Sequence, residues 1–369
     1  MCSSDLAARH AIPVVGAERT GIVFGESVAV ALAVRGAHEG GDDLERPLAD
    51  TSGLTPEVGE TQVDVEFEEV DAAGRAAHVK EPRYASGRTD VATITLAVMT
   101  KSLHIGPARV PSRESPEAAI ALLLERGYSA CELDFEGTFW MSYEFAERFG
   151  ELARDAGIAL SVHAPIAGFM GHAERGKKLN MAVGMLDHSA GIAKVAGAKV
   201  VVFHPGFLLG RTRAEAIDSV CEQLGELRER LEGKDRGVPF GIEVMGRVRE
   251  LGSLDDVVEI AGRLGWVRPV IDFAHMHATS DGQYLTVEPF VEALTKADAV
   301  LEPGAPFHIH FSDIQFANRN ETKHLPYGGG TLRAEPLKAA LAQFPRPATL
   351  ISESPDEESS QRIKAILEG

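Results

Sequence analysis

The sequence is poor in cysteine, in positive charge and in long apolar runs, and each shortage excludes a class of protein. Its three cysteines, Cys2, Cys131 and Cys221, form no CxxC pair, so neither a disulfide framework nor a zinc ribbon is expected. The chain has 37 Lys and Arg residues and 55 Asp and Glu residues. The resulting net charge of −18 argues against a protein that coats nucleic acid through bulk positive charge. The apolar run 28–34 is far shorter than the ~20 residues of a membrane helix. The sequence therefore predicts a soluble, cytoplasmic protein with no membrane partner.

The composition and patterning of the sequence change near Met99. Residues 1–98 contain 17 acidic and 8 basic side chains, and their segment 39–60 is rich in Gly, Asp, Glu and Pro. We interpret 1–98 as a poorly defined N-terminal extension, either disordered or a mis-assigned start, because the opening residues resemble a translated sequencing adaptor. The alternating segment 62–67 leaves a small β-rich module as the alternative.

Beyond Met99, short apolar runs alternate eight times with segments of helical period. Eight such units in residues 99–369 match the size and order of a (β/α)₈ TIM barrel, with a doubly wound open sheet as the competing α/β arrangement. The predicted strands are 102–106, 129–134, 159–164, 199–204, 239–244, 268–273, 306–312 and 348–352.

Six consecutive predicted strands end in a residue that can bind a metal, which favours the barrel because such ends converge there. These residues are His163, His204, Glu243, Asp272, His310 and Glu353. Alternation directs Val162 and Phe203 to the helix layer, so the histidines and carboxylates should face the barrel axis. Six buried ionisable groups are costly unless they are paired or bind cations, and this donor set without thiolates suits Zn²⁺, with Mn²⁺ or Fe²⁺ as alternatives.

Four further histidines are candidates with weaker grounds. His275 follows Asp272 by three residues, and His324 lies in a predicted loop, 321–326; both could bind a further metal. His277 and His308 are weaker candidates for metal ligands. His308 is expected one layer deeper in the barrel than His310, where it could support a ligand by a hydrogen bond.

The motifs SVHAP, FHPG, IEVMG, IDFAH, HIHFSD, KHLPYGGG and SESP, in this order and spacing, resemble the endonuclease IV family of apurinic/apyrimidinic endonucleases, most closely its archaeal-type branch. This family lies within the xylose-isomerase-like barrels. The resemblance implies one zinc held by His163, His204 and the bridging Glu243, and a second held by Glu243, Asp272, His310 and Glu353. It also implies a third zinc at His275 and His324. The family's usual Asp ligand is Thr322 here, so we expect the adjacent Glu321 to supply that ligand, and the family's GEG motif is Gly328–Gly330, without its Glu.

The function implied by the resemblance is a zinc-dependent endonuclease that hydrolyses the phosphodiester 5′ to abasic sites in double-stranded DNA. Two to three zinc ions, Glu243 as the bridge and Glu353 orienting the attacking water would carry the reaction, and no obligate protein partner is implied. Basic residues of the loops after the strands are predicted to contact phosphates, with a merely solvated surface as the alternative: Arg175, Lys177, Lys178, Arg211, Arg247, Arg319 and Lys323. A metal-dependent sugar isomerase or epimerase and a non-catalytic nucleic-acid-binding barrel remain the competing functions.

Overall fold

The computed structural model of this chain describes residues 23–24, 28–31, 97–99, 102–135 and 137–369. The chain divides into two units, Met1–Thr100 and Lys101–Gly369. In the first unit, β1 (Val23–Phe24), β2 (Val28–Ala31) and β3 (Ala97–Met99) form an antiparallel sheet in the order β1-β2-β3. The predicted strand at 62–67, and most of the predicted extension 1–98, lie outside the described residues.

The second unit is a TIM barrel, as the sequence predicts. Its eight parallel strands are β4 (Leu103–Pro107), β5 (Ala130–Asp134), β6 (Ala159–His163), β7 (Val201–Phe203), β8 (Phe240–Glu243), β9 (Val267–Asp272), β10 (Phe307–Phe311) and β13 (Ala348–Ser352). The sheet order is β4-β13-β10-β9-β8-β7-β6-β5, with each strand parallel to its neighbours. Every strand overlaps its predicted segment.

Helices follow the strands and cover the barrel. They are α1 (Pro116–Glu125), α2 (Tyr143–Asp155), α3 (Lys177–Ala196), α4 (Arg213–Glu232), α5 (Leu254–Leu264), α6 (Phe273–Thr279), α7 (Val287–Asp298), α8 (Ala334–Leu341) and α9 (Glu357–Glu368). The beginning of α4 is set by a capping box in which Thr212 and Glu215 satisfy each other's backbone amides. No helix in the described part of the chain has the length and apolar character needed to cross a membrane.

The barrel closes where β4 approaches β5. The Ser129 amide donates to the Ile105 carbonyl oxygen at 3.0 Å. At Gly106 the backbone of Ala130 comes so near that a Cβ atom would overlap the Ala130 carbonyl group. Glycine at this position therefore permits the approach of the first and last strands of the sheet.

Side chains alternate between the barrel axis and the helix layer, as predicted. Val162 and Phe203 belong to the large core between the sheet and the helices. Val200, Val202 and Val270 form a separate buried cluster. Because their neighbours in sequence face the helices, this second cluster lies inside the barrel, and the same alternation turns the strand-end histidines and carboxylates inward.

The prediction that 321–326 is a loop was wrong. Residues Asp313–Ala317 form β11 and Asn320–Leu325 form β12, an antiparallel hairpin that follows β10. The segment NETKHL has no apolar alternation, so its strand conformation comes from pairing with β11 rather than from its own pattern.

A chain that begins at Met99 is expected to fold and to keep its metal-binding capacity, because all eight barrel strands and every candidate ligand come later. Thermal unfolding and zinc content, compared with those of the full chain, measure this. A chain that begins at Pro116 is the control, since it lacks β4 and cannot close the sheet. Insolubility of the chain that begins at Met99 would show that residues before it support the barrel.

Candidate metal centre

The carboxyl ends of the barrel strands bring all six strand-end candidates into one site. His163, Glu243 and Asp272 are the last residues of β6, β8 and β9, His310 is the fourth residue of β10, and His204 and Glu353 directly follow β7 and β13. Register places His310 opposite Asp272 on the neighbouring strand. Three clusters of donor atoms contain the predicted ligands, each with its atoms within 4.8 Å of one another: His163, Glu243 and His310; Glu243, Asp272, His310 and Glu353; and His275, Glu321 and His324. A fourth cluster of this kind is formed by Glu132, His308 and His310.

Glu243 is at the centre of the first two clusters. Its Oε2 lies 3.1 Å from Nε2 of His163 and 3.1 Å from Nε2 of His204, whereas its Oε1 lies 3.1 Å from Nδ1 of His310. Burial raises the pKa of Glu243, but the charges of His310 and His204 outweigh burial and hold that pKa well below its usual range. An ionised carboxylate whose two oxygens face different donor sets is what a bridge between two cations requires.

Asp272 tests whether a cation fits the second cluster. The residue is completely buried, and its Oδ2 accepts no hydrogen bond. Burial raises the pKa of Asp272 well above its ordinary value, and the nearby carboxylates of Glu353 and Glu243 raise it further against the opposing charge of His275. A divalent cation would satisfy this oxygen and remove the repulsion among the three carboxylates, so the residues present fit a bound metal.

The third cluster joins α6 to the hairpin. His275 Nδ1 lies 2.8 Å from the Val244 carbonyl oxygen, and its Nε2 lies 2.8 Å from Oε2 of Glu321. His324 Nδ1 lies 2.5 Å from Oγ of Ser312 and 3.8 Å from Oε2 of Glu353. A backbone carbonyl at Nδ1 fixes the proton of His275 there and leaves its Nε2 to face Glu321, the arrangement usual for a metal-binding histidine.

A β-bulge explains why Glu321, and not Thr322, belongs to this cluster. Gln315 pairs with Lys323 and Phe316 pairs with Glu321, so Thr322 is the extra residue on β12. The bulge shifts the side-chain alternation by one, which directs Glu321 and His324 to the same side of the hairpin. Thr322 instead donates its hydroxyl to the Gln315 carbonyl oxygen at 2.9 Å.

Two buried carboxylates near the site were missed by the sequence analysis. Glu132, in the middle of β5, contacts His308 and His310. Glu250 lies in the segment after β8, with its Oε2 buried and unpartnered. Glu132 could have been found from its position, because the alternation that directs Cys131 to the helix layer directs Glu132 to the barrel axis. No local pattern distinguishes Glu250 from the exposed charges around it.

Residues 120–369 match the family described as xylose isomerase-like TIM barrel. The chain belongs to this family. An uncharacterised protein of Methanocaldococcus jannaschii is 28% identical over 256 residues, which cover 69% of this chain and 92% of the relative. A second uncharacterised protein of that organism is 23% identical over 259 residues, covering 69% of this chain and 84% of the relative.

Solved structures of the xylose isomerase-like fold include sugar epimerases and an endonuclease. A D-tagatose 3-epimerase-like protein has a TM-score of 0.58 at 21% identity, covering 72% of this chain and 96% of its own. Endonuclease IV from Thermus thermophilus has a TM-score of 0.56 at 17% identity, covering 73% and 97%. The 3-keto-D-glucoside 4-epimerase of E. coli has a TM-score of 0.54 at 18% identity, covering 72% and 99%. At these identities the likeness shows the fold alone.

Two of the basic residues predicted to contact phosphate are held by the protein itself. Arg175 forms ion pairs of 2.8 and 2.7 Å with Glu222 and Glu226 of α4. Arg211 donates to Oγ of Ser219 at 2.8 Å and to the Gly171 carbonyl oxygen. These contacts orient both guanidinium groups and neutralise the charge of Arg175.

Three of the other predicted phosphate contacts, Arg247, Arg319 and Lys323, lie on or beside the hairpin that carries the third cluster. Arg247 lies 3.4 Å from Oε1 of Glu321 and 3.5 Å from Oε1 of Glu250. Arg319 donates to the Thr279 carbonyl oxygen at 2.7 Å, and Lys323 belongs to β12. The remaining two predicted contacts, Lys177 and Lys178, begin α3.

Replacing Gly246 by Ala is expected to remove one metal ion per chain and to slow turnover several-fold, although Gly246 offers no donor. A Cβ atom there would lie 2.7 Å from Cδ and 2.8 Å from Cγ of Glu321, so the Glu321 carboxylate would be displaced from His275. Zinc content after dialysis measures the effect. Gly225→Ala in α4 is the matched control, because nothing lies within 4 Å of its added Cβ. An unchanged zinc content in Gly246→Ala would show that Glu321 is not a ligand.

Proposed function

We propose that this chain is a zinc-dependent endonuclease that hydrolyses the phosphodiester 5′ to abasic sites in double-stranded DNA, with two to three metal ions. The observation that carries the proposal is the continuity of the three donor clusters. Glu243 belongs to the first and second, and Glu353 of the second lies 3.8 Å from His324 of the third. Adjacent cation sites of this kind suit phosphoryl chemistry, in which both the attacking and the leaving oxygen need stabilisation.

Two histidines of the site, His163 and His275, are prepared for metal binding through Nε2. His163 Nδ1 lies 2.9 Å from the Ala164 carbonyl oxygen, which turns Nε2 toward Glu243. His275 has the same arrangement with the Val244 carbonyl oxygen. Bound divalent metals would lower the pKa of a water and neutralise charge on the phosphate. The backbone carbonyls hold the rings in the required tautomer before any ligand arrives.

Glu353 is the residue we assign to orienting the attacking water. It is half-buried beside His310, and its Oε1 lies 3.1 Å from Nδ1 of that ring. Burial raises the pKa of Glu353, but the charges of His310 and His324 outweigh burial and lower that pKa to about 2. An ionised carboxylate can accept a hydrogen bond from water and align it for attack on phosphorus.

An abasic nucleotide can reach donors that lie deep in the mouth of the barrel more easily than a paired nucleotide can. The reacting phosphate must reach donors that lie at the strand ends, so the nucleotide has to leave the duplex. A nucleotide without a base leaves the duplex at a lower cost than a paired one, because less stacking and no pairing is lost. Arg319 and Lys323 on the hairpin offer positive charge for the flanking phosphates, whereas the charge of Arg247 is already opposed by Glu321 and Glu250.

A sugar epimerase is the second candidate, and one observation favours it. Glu243, Asp272, His310 and Glu353 form by themselves a complete four-ligand site, which one divalent cation would fill. The two candidates differ in whether the third cluster is needed for the reaction.

Incubation with duplex DNA carrying one abasic analogue tests the proposal. We expect incision 5′ to the analogue, complete loss of incision with a chelator and recovery with added Zn²⁺. The undamaged duplex is the substrate control, and Glu353→Gln is the inactive control. In parallel, the same preparation is given a panel of ketohexoses. Epimerisation of a ketohexose without DNA incision would replace the endonuclease by the epimerase.

A further inference from the structure

Glu132 is a buried carboxylate inside the barrel, beneath the second donor cluster. It is 1% exposed and lies on β5, two residues before the end of the strand. Its Oε2 accepts a hydrogen bond from Oγ of Ser161 at 2.7 Å and lies 3.3 Å from Nε2 of His308. Its Oε1 lies 3.2 Å from Nε2 of His310. The two oxygens therefore have different neighbours: Oε2 contacts Ser161 and His308, and Oε1 faces His310.

Burial of a carboxylate such as Glu132 is unfavourable in free energy unless hydrogen-bond donors surround it. An ionised carboxylate moved from water into a protein interior loses several kcal/mol of solvation unless donors replace the water. Ser161 and His308 satisfy Oε2, whereas Oε1 faces Nε2 of His310 at 3.2 Å, and this ring nitrogen has no hydrogen-bond partner among the described residues.

His310 is placed between this carboxylate and the candidate ligands. Its Nδ1 lies 3.1 Å from Oε1 of Glu243 and 3.1 Å from Oε1 of Glu353, while its Nε2 faces Glu132. A neutral imidazole carries one proton, and a carboxylate beside Nε2 favours that proton there. The lone pair of Nδ1 is then directed at the point where Glu243, Asp272 and Glu353 converge.

We propose that Glu132 is a positioning residue that fixes the tautomer and ring orientation of His310 for metal binding. In this role Glu132 is not itself a ligand and acts through His310. The inference rests on the metal centre of the proposed function but not on its substrate, because an endonuclease and an epimerase would both need His310 as a ligand. His308 and Ser161 in turn hold Glu132 in place.

Glu132→Gln and Glu132→Ala test the proposal by zinc affinity, measured by competition with a chromophoric chelator in the absence of DNA. Gln can still accept a hydrogen bond from the Nε2–H group of His310 but has no charge, so we expect roughly tenfold weaker binding of one zinc ion. Ala removes the acceptor, and we expect a loss of roughly a hundredfold. Asp187→Asn is the matched control: Asp187 is a buried carboxylate of α3 that pairs with Arg230, Lys234 and Arg236.

A residue with a merely structural role would lower the melting temperature of the metal-free protein, as we expect for Asp187→Asn, and leave zinc affinity unchanged. That result for both Glu132 variants would overturn the proposal. If neither variant folds, the nitrogen chemical shifts of His310 in the zinc-loaded wild-type protein decide. A proton on Nε2 supports the proposal, and a proton on Nδ1 contradicts it. A wild-type protein that binds zinc but does not cut abasic DNA refutes the endonuclease and leaves this inference intact.

Discussion

Replacing Glu243 by Gln is expected to abolish most metal binding and to lower turnover by roughly a hundredfold or more. The carboxylate lies within 3.1 Å of ring nitrogens of His163, His204 and His310, so its charge serves both the first and the second donor cluster. Gln keeps the shape but supplies no charge and only one acceptor oxygen. Zinc content by elemental analysis and cleavage of the abasic duplex measure the two effects.

The barrel itself should remain folded in Glu243→Gln. The residue ends β8, and the neighbouring strands pair through backbone groups that the substitution does not touch. The Asp187→Asn variant is again the control, with wild-type zinc content expected. If Glu243→Gln retains all of its zinc, Glu243 does not bridge the clusters, and the continuity on which the proposed function rests is lost.

Replacing Glu321 by Ala is expected to lower zinc content by one ion per chain and to slow DNA cleavage by roughly tenfold or more. Glu321 Oε2 lies 2.8 Å from Nε2 of His275. Burial raises the pKa of Glu321, but the contact with His275 outweighs burial and lowers that pKa, so the side chain is an anion. Removal of this charge and ligand leaves His275 and His324 as the remaining donors of the third cluster.

Thr322→Asp is the matched variant for this prediction, and we expect its zinc content and its rate of DNA cleavage to stay close to those of the wild type. Its side chain lies on the other side of the bulged hairpin, toward the Gln315 carbonyl oxygen. The reverse pattern, in which Thr322→Asp raises zinc content and cleavage while Glu321→Ala is silent, would show that the third cluster lacks a carboxylate ligand in the native chain. In that event the epimerase, which needs only the second cluster, becomes the better function.

Local sequence pattern was sufficient to predict the barrel and most of the candidate donors that its strand ends bring together. Two-residue alternation is a property of the extended chain itself, so Val162 and Phe203 on the helix side already imply that the next residues, His163 and His204, face the axis. The order of strands and helices then limits the topology to few arrangements. The ends of parallel strands meet in a barrel, and His163, Glu243 and Asp272 therefore converge without any long-range information beyond that order.

The hairpin and the interior of the barrel depended on tertiary contacts. Pairing with β11 creates the bulge at Thr322, and a bulge reverses the side-chain alternation that a sequence analysis has to assume. Only that reversal directs Glu321 to His275. Glu132 acquires its role from His308 and His310, which are 176 residues or more away in the chain. The sequence by itself determined which side chains face the axis, because alternation is local, whereas the packing of distant strands decided which of them meet.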